Sequence, residues 1–507
     1  MARVAIAAGS QIAADAGASA AANGGNAVDA AIAGSIASMS TDPGVISLGA
    51  GSFITVWPAD GDPVVLDAYA EMPGRSAPPD RFGSGAQEIE MAYGGGMTSI
   101  VGYGSIATPG SVRGFGEASR LFGTVDWAEL VEPTVYLAEQ GFPLSGAAAE
   151  YMTYSHDVIY GWHPETSKAL HHADGSYLRE GEIVHIDGMA DSLRHIAVNG
   201  PDSFYTGDIG YAMAEAISSN GGLVGVDDLS EYRAVVREPL RVPMGEWGFA
   251  TNPAPAIGGA TVAAVLQLIR DVDSWDATGV RRIAEALDVV LGFRRDRLDQ
   301  ASDIVREIAS LMAGSAGGDP SSVITSPSTV HVSAVDTDGL ACAITSSAGY
   351  GSGAMIPGTG IMLNNSLGEV ELNRAGLHTL APGTRLSSNM APSIARHPDG
   401  SVVAVGSPGA DRITSAVSET VFNYLRLGMP LDAAVAHPRI HVETFEGERA
   451  LAYEPGIDTS AIEGLSLRPF SGPSMYFGGV QAAAWDQVGG LVASADPRRT
   501  GGIAFAG

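Results

Sequence analysis

The stretch Ser326-Pro-Ser-Thr-Val-His-Val-Ser-Ala-Val-Asp336 decides the fold of this chain, because it joins a strand pattern to a candidate nucleophile. From Thr329 onward, β-branched or apolar residues alternate with small polar ones, which is typical of a β-strand. Asp336-Thr-Asp-Gly339 predicts a turn, and residues 340–347 predict a second strand that runs back along the first. The sequence therefore places Thr329 at the head of a β-hairpin.

A threonine at this position gains a free amine if the bond between Ser328 and Thr329 breaks. That amine can act as the general base for the threonine's own hydroxyl, so no histidine is required. The segment 313–322, which is rich in Gly, Ser, Asp and Pro, lies just upstream, where a cleavable surface loop would be expected. An ordinary strand threonine after an ordinary loop would give the same pattern, so the hairpin alone leaves both interpretations open.

Eight further segments decide between these two interpretations. They are Ala22–Ala31, Tyr103–Phe115, Asn199–Gly207, Gly221–Leu223, Asp227–Tyr232, Gly360–Asn365, Gly406–Ile413 and Asp496–Arg499. Together with the hairpin, these segments resemble motifs of the gamma-glutamyltranspeptidase family and follow one another in the same order. The resemblance covers nearly the whole chain and favours the catalytic interpretation of Thr329.

The resemblance implies an α+β fold of the N-terminal-nucleophile type, a four-layer αββα sandwich of two antiparallel sheets flanked by helices. It implies a precursor cut between Ser328 and Thr329 into a large subunit (1–328) and a small subunit (329–507), which share one core and stay associated. It also implies a self-processing amide hydrolase or acyltransferase that needs no cofactor. Thr329 would take an acyl group from a small-molecule amide, of which glutathione is the family example, and pass it to water or an amine.

Two further parts of the catalytic machinery are expected on the small subunit. By resemblance, Ser347 on the paired strand hydrogen-bonds the new amine and orients it as a base. The residues 401–425 predict a strand, a Gly-Ser-Pro-Gly-Ala turn and a helix, an arrangement that points backbone N–H groups outward. By resemblance, the amides of Gly409 and Ala410 form the oxyanion hole, where one donor contributes about 3 kcal/mol. A phosphate-binding loop would end in Gly-Lys-Ser/Thr, which is absent from the sequence.

The pocket for the acyl group departs from the family pattern. Ala70 stands where the family has the arginine that binds the substrate's carboxylate, and Arg75 is a candidate replacement. The other residues predicted to bind substrate are Tyr350, Asn365, Ser366, Glu369, Ser388 and Asn389. Because a charge-assisted pair to a carboxylate contributes roughly 1.5–3 kcal/mol, its loss indicates an acyl group other than free gamma-glutamyl, or a looser requirement for it.

Composition limits the remaining possibilities. The formal net charge of −29 argues against a role on nucleic acid, and no segment has the length and apolarity of a membrane-spanning helix. No apolar leader precedes the first helix, so we expect a cytoplasmic protein. The histidines show no metal-ligand spacing, and His331, two residues from Thr329, is interpreted as structural. Two alternatives stay open: an acylase for a non-glutamyl amide, and an uncleaved pseudoenzyme with a binding role.

Overall fold

The computed structural model describes residues 3–92, 96–301, 303–314, 329–445 and 447–507. Their strands are β1 (Val4–Ala8), β2 (Gly51–Trp57), β3 (Val64–Ala68), β4 (Gln87–Met91), β5 (Met97–Val101), β6 (Phe142–Pro143), β7 (Ile183–Val184), β8 (Val235–Arg237), β9 (Leu240–Met244), β10 (Trp247–Thr251), β11 (Thr329–Asp336), β12 (Ala341–Ser347), β13 (Ser393–Arg396), β14 (Val402–Gly406), β15 (Ile440–Phe445), β16 (Glu448–Tyr453), β17 (Ser466–Pro469), β18 (Gln481–Asp486), β19 (Gly490–Ala495) and β20 (Gly502–Ala506).

The α-helices of the same residues are α1 (Gln11–Ala22), α2 (Ala27–Thr41), α3 (Ser111–Phe122), α4 (Trp127–Gln140), α5 (Gly146–Ser155), α6 (Pro164–Leu170), α7 (Met189–Asn199), α8 (Asp208–Ser219), α9 (Val226–Glu231), α10 (Gly258–Leu268), α11 (Ala277–Phe293), α12 (Ile304–Met312), α13 (Arg412–Val421) and α14 (Leu431–Ala436). Two of them, α11 and α13, continue into short π-helical turns, Arg294–Leu298 and Phe422–Arg426.

Two antiparallel sheets form the centre of the molecule. The first has the strand order β20-β1-β11-β12-β2-β3-β8, and the second has the order β19-β18-β14-β13-β10-β9. Apolar residues from both sheets, among them Val335 and Ala404, form a cluster between them. Helices α1 and α2 cover the outer face of the first sheet, and α10 and α13 cover the outer face of the second. The predicted αββα sandwich is therefore confirmed.

Helix α2 shows how small side chains allow these layers to pack closely. It begins at a capping box, in which the side chain of Asn26 accepts hydrogen bonds from the N–H groups of Val28 and Asp29, and Asp29 accepts one from the N–H of Asn26. Every residue of the helix is buried, and most of them are alanine, serine or glycine. A helix that is buried on all sides needs such residues, because its neighbours approach from every direction.

The predicted hairpin is present as β11 and β12, and its side chains alternate between the two faces of the first sheet. Val332 packs towards α2, whereas His331 and Ser333 point towards the second sheet. His331 accepts or donates hydrogen bonds at both ring nitrogens, 2.7 Å from Thr345 Oγ1 and 2.8 Å from Ser333 Oγ. Burial lowers the pKa of His331 to about 3, so the ring is neutral, and the structural role expected from the sequence stays a prediction.

The ring of His331 lies directly over the end of β14 in the second sheet. A Cβ atom added to Gly406 would lie 2.3–2.8 Å from three atoms of the imidazole. Only glycine fits here, and the contact fixes the position of β11 relative to β14. Thr329 precedes His331 by two residues and therefore lies on the same face of β11.

We expect Gly406→Ala to destabilise the protein by about 1–3 kcal/mol, since overpacking a filled core costs about that much. Thermal unfolding measures the effect. The matched control is Gly472→Ala, where an added Cβ has nothing within 4 Å and the backbone needs no glycine. Equal midpoints for the two variants would contradict the proposed contact between the sheets.

Candidate active site

Thr329 and Ser347 lie side by side at the end of the hairpin. They are the first residue of β11 and the last of β12, and they are directly paired across the two strands. The hydroxyl of Thr329 donates to Ser347 Oγ over 3.5 Å, and both residues are only 5% exposed. Ser347 Oγ also accepts from the N–H of Gly349 at 3.2 Å. The structure therefore brings together the two residues that the sequence predicts as nucleophile and orienting hydroxyl, while Ser328 lies outside the described residues.

The predicted oxyanion turn connects the end of β14 to the start of α13. Gly409 has φ +130° and Ala410 has φ +53°, so the backbone of both residues lies where glycine is favoured. A Cβ atom on Gly409 would lie 3.0 Å from Gly478 Cα. Within the described part of the chain, the N–H groups of Gly409 and Ala410 donate to no other atom. This strained turn therefore leaves two backbone donors available beyond the end of β14.

Asp411 follows these donors, and its charge would disfavour an oxyanion if it were not compensated. Burial opposes the ionisation of Asp411, but the nearby cations outweigh this effect and hold the pKa of its carboxyl well below the usual range. Arg412 Nη1 lies 2.9 Å from its Oδ1, and His441 Nε2 lies 3.8 Å from its Oδ2, with Arg294 also close. The carboxylate is therefore charged and paired, which limits its effect on the turn.

A short chain of contacts links Glu369 to the candidate nucleophile Thr329. The backbone of Gly349, which donates to Ser347 Oγ, approaches Glu369 so closely that an added Cβ would lie 3.2 Å from Glu369 Cγ and Cδ. The hydroxyl of Tyr69 lies on the other side of this acid and donates to its Oε1 at 3.4 Å. We name the buried residues that link Thr329 to Tyr69, through Ser347, Gly349 and Glu369, the candidate acyl pocket.

Two buried acids lie in this pocket. Burial, together with the charge of Glu371, raises the pKa of Glu369 well above its usual value. Burial also raises the pKa of Glu371 to about 7, although it accepts a 2.7 Å hydrogen bond from the hydroxyl of Tyr350. Both carboxyl groups are therefore protonated more readily than ordinary glutamates, and a protonated carboxyl can donate as well as accept a hydrogen bond.

The expected site for the substrate's carboxylate is apolar. Ala70 is fully buried in a hydrophobic cluster with Phe53, Tyr69 and Leu386. The tyrosine ring fits above Gly51, where a Cβ atom would lie 2.7 Å from it. The space that an arginine would use at position 70 is therefore filled by apolar side chains.

The guanidinium of Arg75, the predicted replacement for this arginine, is surrounded by carboxylates of the protein. It pairs with Glu71 at 3.0 Å, Glu231 at 3.1 Å and Asp228 at 3.4 Å. The backbone N–H of Arg75 also donates to Asp228. Arg75 therefore stabilises the loop in which it lies, and its role in substrate binding stays a prediction.

The side chain of Asn365 also makes hydrogen bonds to other parts of the protein. Its side-chain oxygen accepts from the N–H of Tyr350 at 2.5 Å, and its nitrogen donates to Ser99 Oγ at 3.1 Å and to the carbonyl of Ile100 at 3.0 Å. It therefore positions the segment that carries Tyr350. Both N–H donors of its amide are used within the protein, while its oxygen keeps one lone pair, and its role in substrate binding stays a prediction.

The other predicted substrate residues are buried near the pocket. Ser366 is 1% exposed, and the hydroxyl of Ser388 accepts from the N–H of Met390 at 3.2 Å. Asn389 is 6% exposed, and its side-chain oxygen has no hydrogen-bond partner among the described residues. This buried and unpaired acceptor is suited to a donor on a substrate.

Sequence reasoning missed Tyr69 and Glu371. Glu371 could have been found from the sequence, because it follows the predicted residue Glu369 by only two positions and is also an acid. Tyr69 gave a weaker signal, because it is adjacent to the substituted position 70 but nearly 300 residues from its partner Glu369.

Because Ala410 adopts a left-handed backbone conformation, Ala410→Gly should leave the free energy of unfolding within about 1 kcal/mol of the parent value. Relief of strain, about 1–2 kcal/mol, is offset by the greater freedom of glycine in the unfolded chain. Gly409→Ala should be clearly destabilising, since it combines unfavourable φ with the close contact to Gly478. Thermal unfolding of both variants tests the turn, and equal losses would contradict this geometry.

The raised pKa of Glu371 predicts that the stability of the folded protein depends on pH. Between the ordinary pKa of 4.5 and the folded value of about 7, the folded state binds more protons than the unfolded state, so stability falls as pH rises through this window. Glu371→Gln should therefore resemble the parent at pH 4.5 and exceed its stability above pH 7 by on the order of 3 kcal/mol.

The measurement is thermal unfolding across this pH range. Glu285→Gln is the control, because the side chain of Glu285 is 63% exposed on α11. A Glu371→Gln variant whose stability follows the parent at every pH would show that Glu371 ionises normally.

Comparison with known proteins agrees with the geometry. The sequence profile of the family described as Gamma-glutamyltranspeptidase matches residues 13–506. The chain is 29% identical over 483 residues to the glutathione hydrolase proenzyme of Escherichia coli K12, covering 88% of this chain and 81% of that protein. It is also 29% identical over 525 residues to the acylase ACY 1 proenzyme of Pseudomonas sp. strain V22, covering 96% and 91% respectively.

Solved structures show the same fold. The cephalosporin acylase of Bacillus halodurans superimposes with a TM-score of 0.81 at 21% identity, over 99% of this chain and 96% of that one. The match to the family extends over nearly the whole sequence, including both strands of the hairpin and the oxyanion turn. The chain therefore belongs to the gamma-glutamyltranspeptidase family of N-terminal-nucleophile hydrolases and acyltransferases.

Proposed function

We propose that this protein is made as an inactive precursor and cleaves itself before Thr329. The observation that carries the proposal is the position of Thr329 at the head of β11, where it is directly paired with Ser347 and its hydroxyl donates to Ser347 Oγ. In the precursor, Thr329 Oγ1 attacks the carbonyl carbon of Ser328, and the peptide C–N bond breaks to leave an ester. Water then hydrolyses the ester, which leaves a carboxylate on Ser328 and a free α-amine on Thr329.

The mature enzyme uses the same atoms on its substrate. The α-amine of Thr329 takes the hydroxyl proton while Oγ1 attacks the amide carbonyl, and the amides of Gly409 and Ala410 stabilise the oxyanion. The C–N bond breaks and the proton passes to the leaving amine, which gives an acyl-enzyme ester. Water or a second amine attacks this ester, so the products are a free acid or a new amide. Ser347 orients the α-amine.

Strand pairing supports the proposal that residues 1–328 and 329–507 stay together after cleavage. In the first sheet, β1 lies between β20 and β11, and β12 pairs with β2. In the second sheet, β10 pairs with β13. Separation would break four antiparallel ladders and expose the apolar layer between the sheets.

The substrate is an amide whose acyl group is gamma-glutamyl or related to it. The buried acids Glu369 and Glu371 provide polar contacts for an acyl group, as do Ser388 and the unpaired oxygen of Asn389. The apolar surroundings of Ala70 favour a second candidate, an acylase for a non-glutamyl amide, because no cation holds an α-carboxylate there. The names of two relatives, a glutathione hydrolase proenzyme and an acylase proenzyme, correspond to these two candidates.

The location of the protein stays a prediction. Within the described residues, no helix combines the length and apolarity needed to cross a membrane. The cytoplasmic placement expected from the sequence is tested by cell fractionation.

Replacement of the nucleophile tests the mechanism. Thr329→Ala should abolish both cleavage and amide hydrolysis, a fall of at least about a thousandfold in rate, because no other hydroxyl takes the same place. Thr329→Ser keeps the hydroxyl and the amine after cleavage and should retain measurable activity. The readouts are denaturing electrophoresis and release of nitroaniline from gamma-glutamyl and simple acyl nitroanilides. A cleaved and active Thr329→Ala protein would contradict the assignment.

A further inference from the structure

A small cavity lies between the end of α11 and strand β15, beside the residue that follows the oxyanion turn. Its volume is about 20 Å³, which is room for one water molecule or one ion of similar size. Five of the residues that line it are charged or polar, namely Arg294, Arg295, Asp411, Glu443 and Thr444. The two arginines belong to the π-helical turn that continues α11. The cavity can therefore hold a single small ligand among polar groups.

Arg295 brings a positive charge to this cavity without an ion pair. The residue is 8% exposed, and its guanidinium makes no hydrogen bond and no ion pair in the part of the chain that the structure describes. Burial lowers the pKa of this guanidinium, because the charged form has lost most of its water. Asp296 and Asp411 favour the charge only from a distance. Since a buried charge without a direct partner is costly, Arg295 is suited to bind an anion.

Two further residues of the lining carry donors that no described atom accepts. Arg294 is 3% exposed, and its Nη2 is buried without a hydrogen-bond partner, although its Nε lies 3.2 Å from Asp299 Oδ1. Thr444 Oγ1, near the end of β15, is buried and unpartnered in the same way. Buried polar groups of proteins nearly always have a partner. Together with Arg295, these donors indicate a ligand that accepts hydrogen bonds.

The two acids of the lining are already paired with other cations. Asp411 Oδ1 lies 2.9 Å from Arg412 Nη1, and Glu443 Oε1 lies 2.6 Å from Arg468 Nη1. Their charges are therefore compensated within the protein, which reduces their repulsion of an anion in the cavity.

The guanidinium groups on this side of α11 outnumber the carboxylates that touch them. Arg374 Nη2 lies 3.5 Å from Asp299 Oδ2, so Asp299 serves both Arg294 and Arg374. Over the described ranges of the chain, these two arginines and Arg295 have this one carboxylate in direct contact. A monovalent anion beside Arg294 and Arg295 would compensate the excess of positive charge.

Size and charge select among the possible ligands. Two guanidinium groups disfavour a metal cation. A water molecule accepts hydrogen bonds, but it leaves the charge of Arg295 uncompensated. Phosphate and carboxylates carry a negative charge, but they are too large for a cavity of about 20 Å³. A halide ion has both the charge and a size close to that of water.

We propose that Arg294 and Arg295 bind one halide ion in this cavity, chloride in ordinary solutions, with the hydroxyl of Thr444 as a third donor. The ion connects the end of α11 to β15. Because it binds the folded state and not the unfolded chain, it stabilises the protein by mass action. It takes no part in bond breaking, so the inference is independent of the proposed function.

Thermal unfolding of the purified protein at constant ionic strength tests the proposal. The protein is dialysed into sodium gluconate, whose anion is too large for the cavity, and the gluconate is then replaced stepwise by sodium chloride or sodium bromide. The unfolding midpoint should rise by roughly 2–3 °C when the halide concentration reaches a hundred times its Kd.

Three variants locate this response. Arg295→Gln should remove it, and in gluconate this variant should be at least as stable as the parent, because a buried and uncompensated charge is gone. Arg295→Lys keeps a positive charge and should retain part of the response. Arg270→Gln removes an arginine whose side chain is 70% exposed and should respond like the parent.

Diffraction provides a second test that needs no variant. Crystals of the parent protein grown in sodium bromide should show an anomalous peak, at the bromine absorption edge, within hydrogen-bond distance of Arg294 and Arg295. A midpoint that does not respond to halide, an equal response in Arg295→Gln, or the absence of this peak would overturn the inference and indicate that the cavity holds water. None of these outcomes bears on cleavage at Thr329.

Discussion

The contact between His331 and Gly406 is the constraint on which the rest of the site depends. It joins the two central sheets at the point where β14 ends, and only glycine leaves room for the imidazole. The buried ring lies within hydrogen-bond distance of Thr345 and Ser333 at its two nitrogens, which suits a fixed spacer. Since side chains two residues apart share a face of a strand, Thr329 lies on the same face of β11 as this contact.

Burial affects the pKa values of the two acids in the candidate acyl pocket more than charge pairs do. Glu369 and Glu371 are buried together, and burial raises the pKa of both carboxyl groups. The charge of Arg294, which is paired with Asp299, offsets this effect only in part at Glu371. If the proposed function holds, such a pocket recognises a substrate by hydrogen bonds and shape.

Local patterns in the sequence predicted particular strands, turns and helices, whereas the four-layer sandwich and the expected catalytic roles followed from the family resemblance. Alternation predicted the hairpin that begins at Thr329, and the strand, turn and helix around Gly409 followed from turn chemistry and helical spacing. Contacts between distant residues could not be predicted in this way. The position of Arg75 among three carboxylates and the contact of Tyr69 with Glu369 depend on how remote segments pack, which no local pattern specifies. The resemblance supplied candidates for these positions, and packing decided their roles.

The central claim is that Thr329 is a nucleophile released by cleavage of its own chain. An intact-mass spectrum of the purified protein after incubation at neutral pH tests it most directly. The account predicts two species, one that ends at Ser328 and one that begins at Thr329, which remain together under native conditions. A single uncleaved mass for the 507-residue chain, together with the absence of amide hydrolysis, would contradict the claim and favour a binding protein on the same fold.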